Sequence, residues 1–226
     1  RANSTLKVAL ENNQLKSANI ELAIRGLRRS GLSSASTPVD VKLSGLMDGT
    51  RARLALDANV GDTQVGLLRL AIPPVSGAAT PLINRIASAP VTGGIRWNGP
   101  AETLWALAAQ EGHDLAGPLS LRADIGGVVG DPNVSGQFRT RGARYENLKL
   151  GARVSDFSMR GSFRGPSIRI EEAQGKVGKR GTVALSGEAT LSSARGWPAA
   201  IRIALDNAEL INRDDIDIDG TGVVDI

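Results

Sequence analysis

A chain of 226 residues has room for one large domain or two small ones with a real core. It carries 27 glycines, only 3% aromatic residues, no cysteine and one histidine, His113. That excludes disulfide scaffolds, thiolate zinc sites, iron–sulfur ligation, thiol catalysis and multi-histidine metal centres. The net charge of +4 is unevenly spread: residues 139–180 hold 11 basic side chains against 4 acidic ones, and residues 206–226 hold seven acids and one arginine. Such asymmetry suits orientation against an anionic surface or a neighbouring domain. It argues less for nucleic acid, because few aromatic residues are present to stack bases.

Strand text begins at once with Leu6, Val8 and Leu10 and recurs along the whole chain as alternation at period two, the signature of strands with one apolar face. Ile20, Leu22 and Ile24 come first, then Val39, Val41 and Leu43, then Leu54, Leu56, Ala58 and Val60. Two short helices interrupt near 80–89 and 100–111. The first has Thr80 as cap and Pro81 at its opening position; the second follows Gly99-Pro100, carries Glu102 in its first turn and ends at Gly112. Alternation resumes as Leu119, Leu121, Ala123 and Ile125, then Val134, Gly136 and Phe138, then Met159, Gly161 and Phe163. It closes as Val183, Leu185, Gly187, Ala189 and Leu191, then Ile201, Ile203 and Leu205, then Ile216 and Ile218. Turn signals stand at Gly126-Gly127, Gly130-Asp131-Pro132, Gly165-Pro166 and Gly196-Trp197-Pro198. About a dozen strands joined as hairpins exceed what an open sheet usually holds without curling.

An apolar–polar–Gly kernel repeats at Gly45, Gly136, Gly161 and Gly187; the last three are about 25 residues apart, which reads as two strands and two turns per unit. These glycines fall on the apolar phase, where they either let the sheet bend or keep space open for a guest. The chain reads as one elongated β-rich piece, 1–226, of a longer repetitive protein.

Three stretches carry partial catalytic or ligand-binding motifs. His113, in Glu111-Gly-His-Asp114, reads as a solvated loop histidine without a nucleophile beside it. Asp215-Ile-Asp217-Ile-Asp219-Gly220 opens like a calcium loop, but position twelve is Ile226 and the isoleucines alternate as in a strand. Gly175-Lys-Val-Gly178-Lys-Arg-Gly181-Thr182 misses phosphate-loop spacing and reads as a basic hairpin turn. The sequence describes a non-enzyme without cofactor or metal.

Several runs then resemble the C-terminal region of the TamB family, the inner-membrane-anchored subunit of the translocation and assembly module, within the AsmA-like group. They are Pro90 to Leu107, with Trp97 and Leu104-Trp105; Leu115 to Gly127; Asp131 to Phe138; Arg144-Tyr145-Glu-Asn147-Leu148; and Leu205-Asp-Asn207-Ala-Glu-Leu210. The resemblance implies a mostly β fold: a long, curved, open sheet rolled into a trough, or β-taco, with an apolar inner face. It further implies the periplasm of Gram-negative bacteria, phospholipid acyl chains as cargo carried between inner and outer membranes, and an outer-membrane barrel partner, TamA, engaged through regions outside this piece.

The residues themselves support an apolar lining. Expected to face inward are Leu119, Leu121, Ile125, Phe138, Met159, Phe163, Val183, Leu185, Leu191, Ile201, Ile203 and Leu205; the same residues would equally serve a closed core. A scaffold that engages β-barrel precursors by strand-edge pairing is the alternative.

Overall fold

The computed structural model describes residues 2–11, 14–27, 37–48, 51–73, 82–107, 112–147, 151–190, 198–213 and 216–225. Fourteen strands stand among them: β1 (Ala2–Glu11), β2 (Gln14–Leu27), β3 (Val39–Asp48), β4 (Arg51–Val60), β5 (Thr63–Ile72), β6 (Thr92–Pro100), β7 (His113–Ala116), β8 (Pro118–Val128), β9 (Asp131–Asn147), β10 (Ala152–Arg164), β11 (Ser167–Val177), β12 (Gly181–Thr190), β13 (Ala199–Arg213) and β14 (Ile216–Asp225). Two helices join them, α1 (Leu82–Ser88) and α2 (Ala101–Leu107), inside the two stretches where helices are expected. The strands make one antiparallel sheet that is open, not closed into a barrel. Its order follows the chain, except that β7 leaves the path and pairs with β9 beyond β8.

Every alternating run named above lies in a strand as far as it is described; Leu191 lies outside the described residues. β5, β6 and β11 are less legible because Leu67-Leu68, Gly93-Gly94 and Glu171-Glu172 each break the alternation. Two expectations need correction. Gly126 and Gly127 are inside β8, and the turn comes at Val129-Gly130. Gly127 takes φ +84, and its carbonyl accepts the Val91 N–H at 3.0 Å, so it marks an irregularity within the strand. The 25-residue spacing is not a structural unit either: Gly136 to Gly161 is one step, β9 to β10, whereas Gly161 to Gly187 is two, β10 to β12. The equality arises because β9 is 17 residues long and carries both β8 and β7 along its length. The expected cap Thr80-Pro81 and the turn residues Gly196-Trp197 lie outside the described residues.

By their contacts the residues form two compact units. Unit 1 comprises Arg1–Arg28, Thr37–Trp97 and Arg122–Ser135; unit 2 comprises Arg29–Ser36, Asn98–Leu121 and Gly136–Ile226. In unit 1, α1 docks on the β8–β9 turn through backbone bonds from Gly130 N–H to the Ala87 carbonyl (2.8 Å) and from Val129 N–H to the Ala89 carbonyl (2.9 Å). In unit 2, α2 follows β6 directly, with the Ala101 N–H on the Gly117 carbonyl at 2.7 Å. Ala101, Leu115 and Ala143 are buried there, and Trp105, Leu119, Tyr145 and Phe157 pack against them.

Most fully buried side chains are small, and the largest one below 2% exposure is Val39. The accessible surface is 14815 Å² for a 23.6 kDa chain, against about 9,800 Å² for a compact protein of that mass. Among the described residues the two seven-residue helices are the only helices or strands outside the sheet, so little is available to cover its faces.

Two long strands keep their apolar phase by means of bulges. Asp156 (φ 49) sits at the break between Ser155 and Ser158, and Asn207 (φ 48) at the break between Leu205 and Ala208. Asp and Asn tolerate the left-handed region better than other side chains. Asp156 accepts a bond from Lys176 Nζ at 2.7 Å, and the Asn207 N–H donates to Thr221 Oγ1 at 2.9 Å. The pairings Ser155–Lys176, Lys176–Thr182 and Thr182–Asp206 place both bulges on one line across β10–β13.

Candidate functional site

Register converts the alternation of single strands into rows that run across the sheet. In unit 1, Leu22, Leu43, Leu56, Leu68 and Ile95 stand opposite one another from β2 to β6. A parallel row holds Leu6, Ile20, Gly45, Leu54, Leu70 and Gly93. A third runs Ile24, Val41, Ala58, Gly66 and Trp97. One position along each strand the character reverses: Lys42 and Asp57 are opposite one another, and Asp57 bonds both Arg69 (2.8 Å) and Gln64 (2.7 Å).

Unit 2 repeats the arrangement. Met159, Ala173, Leu185, Ile203 and Val224 form one row from β10 to β14. Phe163, Ile168, Ala189 and Ala199 form another, and Gly161, Ile170, Gly187 and Ile201 lie between them. Beyond them come Gly175, Val183, Leu205 and Gly222. The opposite face of unit 2 is ionic: Arg169 pairs with Glu188, Arg160 with Glu172 at 3.2 Å, and Lys176 with Asp156 at 2.7 Å.

The aliphatic rows are only half covered. Leu43, Leu54, Leu56, Leu68, Leu185, Val183, Ile201, Ile203 and Leu205 are all intermediate in exposure, while Leu6 is 65% and Val8 53% exposed. The rows contain no ionisable side chain, and no group of residues able to hold a metal exists among the described residues. Such a surface offers contact with an aliphatic guest and no chemistry.

Some glycines on this face are filled by neighbours. A Cβ on Gly66 would lie 2.6 Å from the Trp97 ring, and one on Gly161 would lie 2.5 Å from the Phe138 ring. At Gly161 the space is neither a bend nor room for a guest: a ring from the sheet itself fills it, as at Gly66. A Cβ on Gly45 would meet Leu54, Ile20 and the Arg53 carbonyl at 3.3, 3.7 and 4.0 Å.

Of the expected lining residues, Phe138, Met159, Phe163, Val183, Leu185, Ile201, Ile203 and Leu205 gather on the apolar face of unit 2. Leu121, also in unit 2, is half-buried on β8. Leu119 packs into the cluster under α2, so at this residue a closed core is what forms. Ile125 belongs to unit 1, and Leu191 lies outside the described residues. The unit 1 rows were absent from the expected lining, although the same alternation in β2, β3 and β4 marks them.

His113 is not a loop residue: it opens β7, half-buried, with Nδ1 2.6 Å from the Tyr145 hydroxyl. Its carbonyl accepts the Trp105 indole N–H at 3.2 Å. Burial raises the Tyr145 pKa above the ordinary 10.0. These three residues tie α2 to the sheet. The Asp-rich run belongs to strand β14 for residues 216–219, and Asp215 lies outside the described residues.

No known protein family, curated protein or solved structure matches this chain.

Proposed function

We propose that the apolar face is a groove that carries the acyl chains of phospholipids, and that the protein is a TamB-like periplasmic lipid carrier between the inner and outer membranes. The observation that supports this reading is the set of aliphatic rows crossing successive strands in each unit, half-exposed and free of charge. An ordinary sheet of this composition would cover that face with helices or a second sheet. Among the described residues only α1 and α2 are available, seven residues each.

The energetics favour a long, weakly specific contact. An acyl chain of about 16 methylenes gains at most about 13 kcal/mol on full burial, at ~0.8 kcal/mol per methylene, before ordering costs. An aliphatic surface without polar anchors holds all positions along the chain about equally, which allows sliding. The role in outer-membrane assembly and the barrel partner TamA belong to the same proposal and rest on the sequence resemblance.

Mass spectrometry of the purified protein tests the reading. Phospholipid is expected to accompany it through a detergent-free preparation. A lipid-free protein that instead binds extended barrel-precursor peptides would overturn it in favour of the strand-pairing scaffold.

A further inference from the structure

The polar face of unit 2 carries a feature that lipid transport along the opposite face does not use. Five of the 11 cations in the basic stretch 139–180 have a carboxylate beside them: Arg144 and Arg153 share Glu146, Arg160 meets Glu171 and Glu172, Arg169 meets Glu188, and Lys176 meets Asp156. Arg139 and Arg141 are exposed, and among the described residues neither has a carboxylate partner. They are two residues apart on β9, so their Cα atoms are about 6.6 Å apart and both side chains leave the same face. They border a cleft of about 270 Å³, with Arg160, Ser158, Glu172 and Gln174 on its other walls.

We propose that this cleft is a binding site for a phosphate-bearing ligand, with Arg139 and Arg141 as its primary contacts and Arg160, Ser158 and Gln174 completing it. Glu172 engages Arg160 by one contact, Nη2 to Oε2 at 3.2 Å. A guanidinium fork takes two oxygens of one anion, and a phosphate group has oxygens enough for two forks side by side, which a single carboxylate does not. The cleft, of about 270 Å³, has room for a phosphate group. The same chemistry arises from a soluble phosphoester or from a lipid headgroup at a membrane surface. Met159 of the apolar row also lines the cleft, but the test changes only Arg139 and Arg141 and leaves the aliphatic rows intact.

The experiment is calorimetric titration of the protein with inorganic pyrophosphate at low ionic strength, beside co-sedimentation with vesicles of phosphatidylcholine containing phosphatidic acid. Saturable pyrophosphate binding is expected, weakened at least tenfold in Arg139→Gln/Arg141→Gln and unchanged in Arg169→Gln, which alters the same face at a paired cation. Succinate should not compete. Sedimentation with phosphatidic acid vesicles that is lost in the double variant assigns the ligand to a membrane. Pyrophosphate binding without sedimentation assigns it to a soluble phosphoester. The proposal is overturned if neither probe binds, or if both bind the double variant as well as the parent protein with its circular dichroism unchanged.

Discussion

A carboxylate placed in the middle of the unit 2 rows separates a lipid-bearing face from a merely uncovered one. Leu185 is opposite Ala173 on one side and Ile203 on the other, in the row that runs from Met159 to Val224. Leu185→Asp puts a charge where an acyl chain would lie. If it denies contact to about four methylenes, the loss is ~3 kcal/mol at ~0.8 kcal/mol each, or about a hundredfold in affinity. The cost to folding is smaller: Leu185 is only half-buried, so roughly half of the ~1.5–3 kcal/mol for full burial of a leucine is forfeited. Ala184 is the internal control: it is the preceding residue, exposed on the polar face between Gln174 and Ala204. Native mass spectrometry of detergent-free preparations should find lipid on the parent protein and on Ala184→Asp and almost none on Leu185→Asp, with all three folded by circular dichroism. Equal lipid occupancy of the two variants would refute the assignment of the apolar face as the carrier surface.

Two further outcomes follow from the packing. Gly66→Ala forces a methyl group against the Trp97 ring and the Ala58 side chain, 2.6 and 2.9 Å from the new Cβ. Overpacking of that kind costs ~1–3 kcal/mol, and the midpoint of thermal unfolding should fall by roughly 2–12 °C with a change in tryptophan emission. An unchanged midpoint would mean the ring does not occupy the glycine's space. Tyr145 is the sole tyrosine, so its ionisation is read directly from ultraviolet absorbance. Its midpoint is expected above 10.0 in the folded protein and near 10.0 in denaturant. The folded value is the raised one, so the stability contributed by neutral Tyr145 is complete below pH 10.0 and lost as pH rises through the folded value.

The fold was legible wherever burial obeyed the strand period. Leu54-Leu56-Ala58 and Val183-Leu185 announce their face because no register break falls between them. β11 hid because a register break lies between Ile170 and Ala173, which puts two glutamates in succession and inverts the phase halfway along. Gly127 misled because a left-handed glycine inside a strand has the same sequence as one in a turn. The unit 2 lining was readable residue by residue, but its coherence was not: that Leu185 meets Ile203 is a matter of register, and register is set between strands. His113 was misplaced for a similar reason, since its partner Tyr145 is 32 residues away.

The order of the strands has a consequence for how such a protein is built and varied. Along the main path from β8 to β14 each strand pairs with its predecessor and its successor, and the same holds from β1 to β6. Pairing along these two paths is therefore between neighbours in chain order. Each hairpin there can be laid onto an edge already formed, in the order of synthesis; β7, which waits for β9, is the exception. By the same logic a hairpin can be gained or lost without re-threading the rest, as in other quasi-one-dimensional proteins. The number of strands is then free to vary while the rows formed between neighbouring strands keep their register.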